Sequence, residues 1–157
     1  MGMIMANTPE KLKSDTQVFL DFIAAQRQVK PGSKIGATGY CMGGPMVMRT
    51  AAGRPDRIGG AGTFHGGGLV RDTEDSPHTM AAKTKASFLV AIAANDDAKA
   101  PKDKEVLKET FDKAKLKAEI EVYADSAHGW CPPDSRVYNE PLAEKAWARL
   151  LALYGKL

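Results

Sequence analysis

Apolar positions along this chain alternate between a helical period and short, nearly continuous runs. From Thr8 the pattern predicts a helix. Thr8 can cap it, Pro9 suits the first helical position, and Glu10 suits the positive end of the helix dipole. Leu12, Phe19, Phe22 and Ile23 then recur on one face, until Lys30-Pro31-Gly32-Ser33 ends the pattern. Lys34 to Tyr40 reads as a strand, and Met42 to Ala52 as a helix turning Met46, Val47, Thr50 and Ala51 inward. Ile58 to Phe64 predicts a second strand, followed by a polar loop from His65 to His78. Ser87 to Ala94 is apolar almost throughout, as expected of a strand covered on both faces. Pro101 to Leu116 predicts a charged helix with Leu107, Phe111 and Ala114 on one stripe. Ala118 to Ala124 alternates as a fourth strand. A last helix starts near Pro141, capped by Asn139, with Ala143, Trp147, Leu150, Leu151 and Tyr154 expected to face the core.

The order is α-β-α-β-loop-β-α-β-α. Strands alternating with helices predict an α/β fold of four parallel strands with helices on both faces. No repeat or linker interrupts the 157 residues, so residues 1–157 are read as one domain. The charge pattern narrows the functions available. With 22 Lys+Arg against 19 Asp+Glu, the net charge of +3 makes no electrostatic case for nucleic acid or a membrane surface. The longest apolar run, Phe88 to Ala94, is too short to span a bilayer. No basic-then-apolar leader opens the chain, and two cysteines make neither a disulfide scaffold nor a zinc site. A cytoplasmic, reducing location is therefore expected, with no metal.

In parallel sheets the chemistry gathers beyond the carboxyl ends of the strands. After the first strand stands Gly39-Tyr40-Cys41-Met42-Gly43-Gly44, the nucleophile-elbow pattern G-x-S-x-G with cysteine in place of serine. The glycines remove side chains that would collide at a tight strand-to-helix turn. The helix that follows aims its positive end and free N–H groups at the sulfur, and the N–H of Met42 is a candidate oxyanion donor. After the third strand comes Ala94-Asn95-Asp96-Asp97, and after the fourth Ser126-Ala127-His128-Gly129-Trp130. Nucleophile, acid and base thus follow one another in the order of α/β-hydrolases. Triad logic gives Cys41 the attack, His128 the proton transfer and Asp96 the orientation of the imidazole, with Asp97 as the alternative acid.

The segments TGYCMGG, FHGG, NDD and AHGW resemble the dienelactone hydrolase family, over essentially the whole chain. The resemblance implies an α/β-hydrolase fold and hydrolysis of small carboxylic esters or lactones through a cysteine acyl-enzyme, without a cofactor. It also carries Cys41, Asp96 and His128 into the roles of nucleophile, acid and base. Members of the family begin with further strands ahead of this chain's first helix. Those strands carry a second oxyanion donor and groups that bind substrate, so this chain is expected to correspond to the carboxyl part of the fold. Its first strand, ending at Tyr40, would then be an exposed edge that invites pairing with a second copy.

Tyr40, His65 and Trp130 are candidate substrate-binding residues, each weighed against simple packing. Cys131 lies three residues after His128, so a thiol-redox pair with Cys41 is a further reading. A folded pseudo-hydrolase or fragment, assembling through the bare edge and lacking activity, is the non-enzyme alternative. A dehydrogenase is set aside: Pro45 stands where a dinucleotide-binding turn needs glycine, and the second strand ends at Phe64-His65 without a ribose-binding acid.

Overall fold

The computed structural model describes residues 8–157. Helix α1 (Pro9–Ala24) leads to strand β1 (Ile35–Tyr40), helix α2 (Gly43–Gly53) and strand β2 (Ile58–Phe64). A loop and a 3₁₀ segment (Pro77–Lys83) precede strand β3 (Ser87–Ala93). Helices α3 (Ala94–Lys99) and α4 (Asp103–Lys113), strand β4 (Ala118–Tyr123) and helix α5 (Glu140–Tyr154) complete the order. The four strands form one parallel sheet in the order β1-β2-β3-β4. No helix among the described residues is long and apolar enough to cross a membrane.

The α/β architecture with helices on both faces is as the periodicity predicts. On one face Leu20 of α1, Val47, Met48 and Ala51 of α2, and Leu107 and Phe111 of α4 pack with Phe88 and Val90 of β3. On the other, Ala146, Leu150 and Leu153 of α5 pack with Leu89, Ala91 and Ala93. Strand β3 sends alternate side chains to opposite layers, which explains why its sequence is apolar at every position.

The caps form as expected. The Thr8 hydroxyl oxygen accepts from the Lys11 N–H, and the Asn139 side chain accepts from Leu142 N–H. The inward stripes are shifted from the expected ones. In α1 the buried residues are Thr16 and Leu20, whereas Phe19 and Phe22 are 65% and 66% exposed. In α2 it is Met48 that is buried, with Met46 only half-buried. In α5 Ala146 and Leu153 are buried with Leu150, while Trp147 and Leu151 stand about half exposed. The physical reason is that a helix buries the face that meets the sheet and its neighbouring helices, and the apolar period alone does not set that rotation. The helix expected from Pro101 to Leu116 forms as α4, within narrower bounds, and the short helix α3 ahead of it is not predicted.

Strands β1 and β4 are the two edges of the sheet, and no further strand pairs with either among the described residues. Large apolar side chains are exposed on both layers, with Val18, Phe19 and Phe22 on α1 and Trp147 and Leu151 on α5.

Candidate active site

Each chemically important side chain follows the carboxyl end of a strand. Cys41 comes directly after β1 with φ of +52°, in the left-handed region that a non-glycine residue enters only under constraint. That constraint comes from two sides: Cys41 N–H donates to the Phe64 carbonyl at 3.0 Å, and Gly44 N–H donates back to the Cys41 carbonyl at 3.1 Å. The turn is tight enough that a Cβ on Gly39 would run into the Gly43 carbonyl. A Cβ on Gly44 would meet Gly66 Cα at 2.9 Å. Gly39 is required by space, as the elbow pattern predicts, but a Cβ on Gly43, the second glycine of the pattern, would meet nothing within 4 Å, and it is Gly44 that is crowded instead.

His128 hangs in the loop after β4, and two bonds fix that loop. Its backbone N–H donates to Asn95 Oδ1 at 2.8 Å. Ser126 Oγ donates to the Tyr123 carbonyl at 2.7 Å and accepts from Ala94 N–H at 3.2 Å, joining the ends of β3 and β4. The imidazole then bridges two groups: Nε2 lies 3.0 Å from Cys41 Sγ, and Nδ1 lies 2.6 Å from Asp96 Oδ2. With Nδ1 protonated toward the carboxylate, Nε2 is left free to accept a proton from the thiol. Lys99 Nζ stands 3.9 Å from the other oxygen of Asp96.

Asp97, the other candidate acid, is turned away. Both its oxygens accept from Lys104 Nζ, at 2.7 and 2.9 Å. Asp97 therefore pins α3 to α4, while Asp96 faces the imidazole.

Met42 occupies the amino-terminal cap of α2, next to the sulfur, and its N–H has no acceptor among the described residues. Tyr40 is partly exposed and stacks on Phe64 at 4.9 Å. It borders a cavity of about 230 Å³, with Phe64, Cys131, Tyr138 and Trp147 among its other walls.

His65 and Trp130 do not stand in that cavity wall. Trp130 is fully buried, stacked on Tyr123 with ring centroids 5.1 Å apart. Its place is the core beneath the site, which corrects the expectation of substrate contact. His65 is only 2% exposed, and its ring meets Trp130 and His128 edge-on, each at 5.1 Å. It too supports the site from below. Neither ring nitrogen of His65 has a hydrogen-bond partner among the described residues, and burial pushes its pKa down to about 4. It is therefore a neutral ring at ordinary pH. His65 also has a positive φ, +39°, at the end of β2, repeating the conformation of Cys41 on the neighbouring strand.

Both cysteines are free. Burial pushes the Cys131 thiol up to about 12, so it stays protonated and unreactive at neutral pH. No group of three or more metal-ligating side chains gathers among the described residues.

Asn95 and Ser126 are the residues that motif reading passed over. Their signal was weak, because an Asn before an acid and a Ser before Ala-His carry meaning only once β3 and β4 lie side by side.

The fold has clear relatives among solved structures. One is a Klebsiella pneumoniae subsp. pneumoniae protein assigned as a dienelactone hydrolase. It superposes with a TM-score of 0.85 at 22% identity, over 98% of this chain and 64% of that one. A dienelactone hydrolase-like promiscuous phosphotriesterase from metagenomic libraries gives 0.77 at 22% identity, over 94% of this chain and 62% of that one. An acetyl xylan esterase from Paenibacillus sp. R4 gives 0.65 at 18% identity, over 92% of this chain and 52% of that one. The chain thus spans less than two thirds of the length of these structures. A comparison with curated protein sequences finds no match. The sequence model of the dienelactone hydrolase family matches residues 1–157. With that match along its whole length, the chain belongs to the dienelactone hydrolase family.

Proposed function

We propose that the protein hydrolyses small carboxylic esters or lactones with Cys41 as nucleophile. The observation that carries this reading is one imidazole placed 3.0 Å from a thiol on a strained elbow and 2.6 Å from a carboxylate. In the first half-reaction His128 Nε2 takes the Cys41 proton as Sγ attacks the carbonyl carbon. The oxyanion that forms accepts a hydrogen bond from Met42 N–H. Collapse breaks the bond to the alkoxy oxygen, which leaves with the proton held by His128, and a thioester remains on Cys41. In the second half-reaction His128 takes a proton from water, the hydroxide attacks the thioester, and the sulfur leaves and recovers that proton. Asp96 holds the imidazole in the required tautomer and stabilises its cationic form. Tyr40 borders the cavity best placed to receive an apolar part of the substrate. No cofactor enters these steps, and a free Cys41 suits a reducing cytoplasm.

Turnover of p-nitrophenyl acetate tests the reading. Cys41→Ala should lower it by at least about 10³-fold, and Asp96→Asn by about 10²–10⁴-fold, whereas Asp97→Asn should leave most of it. Undiminished turnover in Cys41→Ala would falsify the mechanism. A wild-type chain that folds but shows no turnover at all would favour a pseudo-hydrolase.

A further inference from the structure

A second cavity lies away from the thiol. It is a groove of about 310 Å³ between α1, the carboxyl end of α2 and the 3₁₀ segment. Cys41 precedes the amino end of α2 and the groove begins on that helix at Arg49, so the stretch from Gly43 to Met48, about 9 Å at 1.5 Å per residue, separates the two places. Leu12, Ala52 and Met80 supply an apolar lining, and Thr16 and Thr50 add two hydroxyls.

The charged side chains that line the groove are all of one sign. Lys13, Arg49, Arg54 and Lys83 line it, and no acidic residue does. Two of these cations are held from the rim: Arg49 Nη2 by Asp75 at 3.3 Å, and Arg54 by Asp56 at 3.0 Å. Lys13 and Lys83 have no carboxylate partner among the described residues, and residues 1–7 contain no Asp or Glu that could supply one. Arg49 Nη1 is buried without an acceptor among the described residues. An unpaired buried guanidinium nitrogen is costly to keep, and a bound anion would remove that cost.

We infer that this groove binds a phosphomonoester carrying a small apolar group. Four cations against two rim carboxylates leave a surplus of two positive charges, which matches a dianion better than a carboxylate. Arg49 and the two lysines would take the phosphoryl oxygens, and the apolar group would lie on Leu12, Ala52 and Met80. The site is independent of the hydrolytic one, and no bond of the ligand is broken there.

Calorimetric titration of the full chain at low salt tests the inference with three probes: phenyl phosphate, inorganic phosphate and phenol. Phenyl phosphate should bind one per chain, at least about tenfold more tightly than either half of its structure alone. Arg49→Met should weaken it about tenfold or more. Because that change also removes the contact to Asp75, the double variant Lys13→Met/Lys83→Met carries the same test on two exposed side chains. Its unfolding midpoint should stay unchanged while phenyl phosphate affinity drops. Three results would each overturn the inference: no saturable binding of phenyl phosphate, equal affinity for inorganic phosphate, or undiminished affinity in the double variant.

Discussion

At the scale of single residues, the site depends on a ring that touches no substrate. His65 is buried, neutral and edge-on to both His128 and Trp130, so it limits how far the His128 imidazole can tilt away from Cys41 and Asp96. Its depressed pKa has a consequence for stability. The unfolded chain protonates this side chain near pH 6.5, the folded one only near 4. Between those values the unfolded state binds more protons, so stability falls as pH falls through that window, by about 3 kcal/mol if His65 acted alone. Urea unfolding measured from pH 7 to 4 should show this loss, and His65→Phe should flatten it. The residues named by motif, Cys41, Asp96 and His128, were legible because each follows directly on its own strand. The separation of Asp96 from Asp97 was not, since it depends on Lys104, a residue of another helix.

At the scale of elements, helix and strand types were legible and the buried faces less so. A stripe of large apolar residues predicted Phe19, Phe22, Trp147 and Leu151 as inward, yet the helices rest on Thr16, Leu20, Ala146 and Leu153. Periodicity counts hydrophobic residues but does not know which neighbours a helix will find. The six-residue helix α3 is not predicted from the sequence, because Ala-Asn-Asp-Asp-Ala-Lys carries no apolar stripe. The junction of β1 and α2 follows its sequence more strictly, as Gly39 shows: even one methyl there meets the Gly43 carbonyl. Gly39→Ala should lower the unfolding free energy by about 1–3 kcal/mol and reduce esterase turnover in the surviving folded protein. Denaturation curves and initial rates check both parts.

At the scale of the molecule, apolar surface is left open in each layer. Strand β1 has a free edge among the described residues, and large apolar side chains are exposed on α1 and α5. Such an edge is a template for another strand. Two copies pairing β1 against β1 would cover these surfaces together, so light scattering is expected to show dimers or larger species whose share grows with concentration. A strictly monomeric chain at high concentration would count against pairing. Lys substituted for Phe19 and Phe22, both exposed, should shift the balance back toward monomer without loss of folding.

Cys41 hangs from that same edge strand. Asp96 follows β3, inside the sheet, and His128 follows β4, the opposite edge, while the thiol depends on six residues that pair on one side only among the described residues. Edge segments open with less free energy than a core does. In a monomer, gentle heating should therefore silence the catalyst while the bulk of the secondary structure is still intact. The fall in turnover should come several degrees before the fall in circular dichroism, and cooling should restore it. The working lifetime of the protein would then be set by how often its outermost strand peels, and any partner that sits on that strand would prolong it.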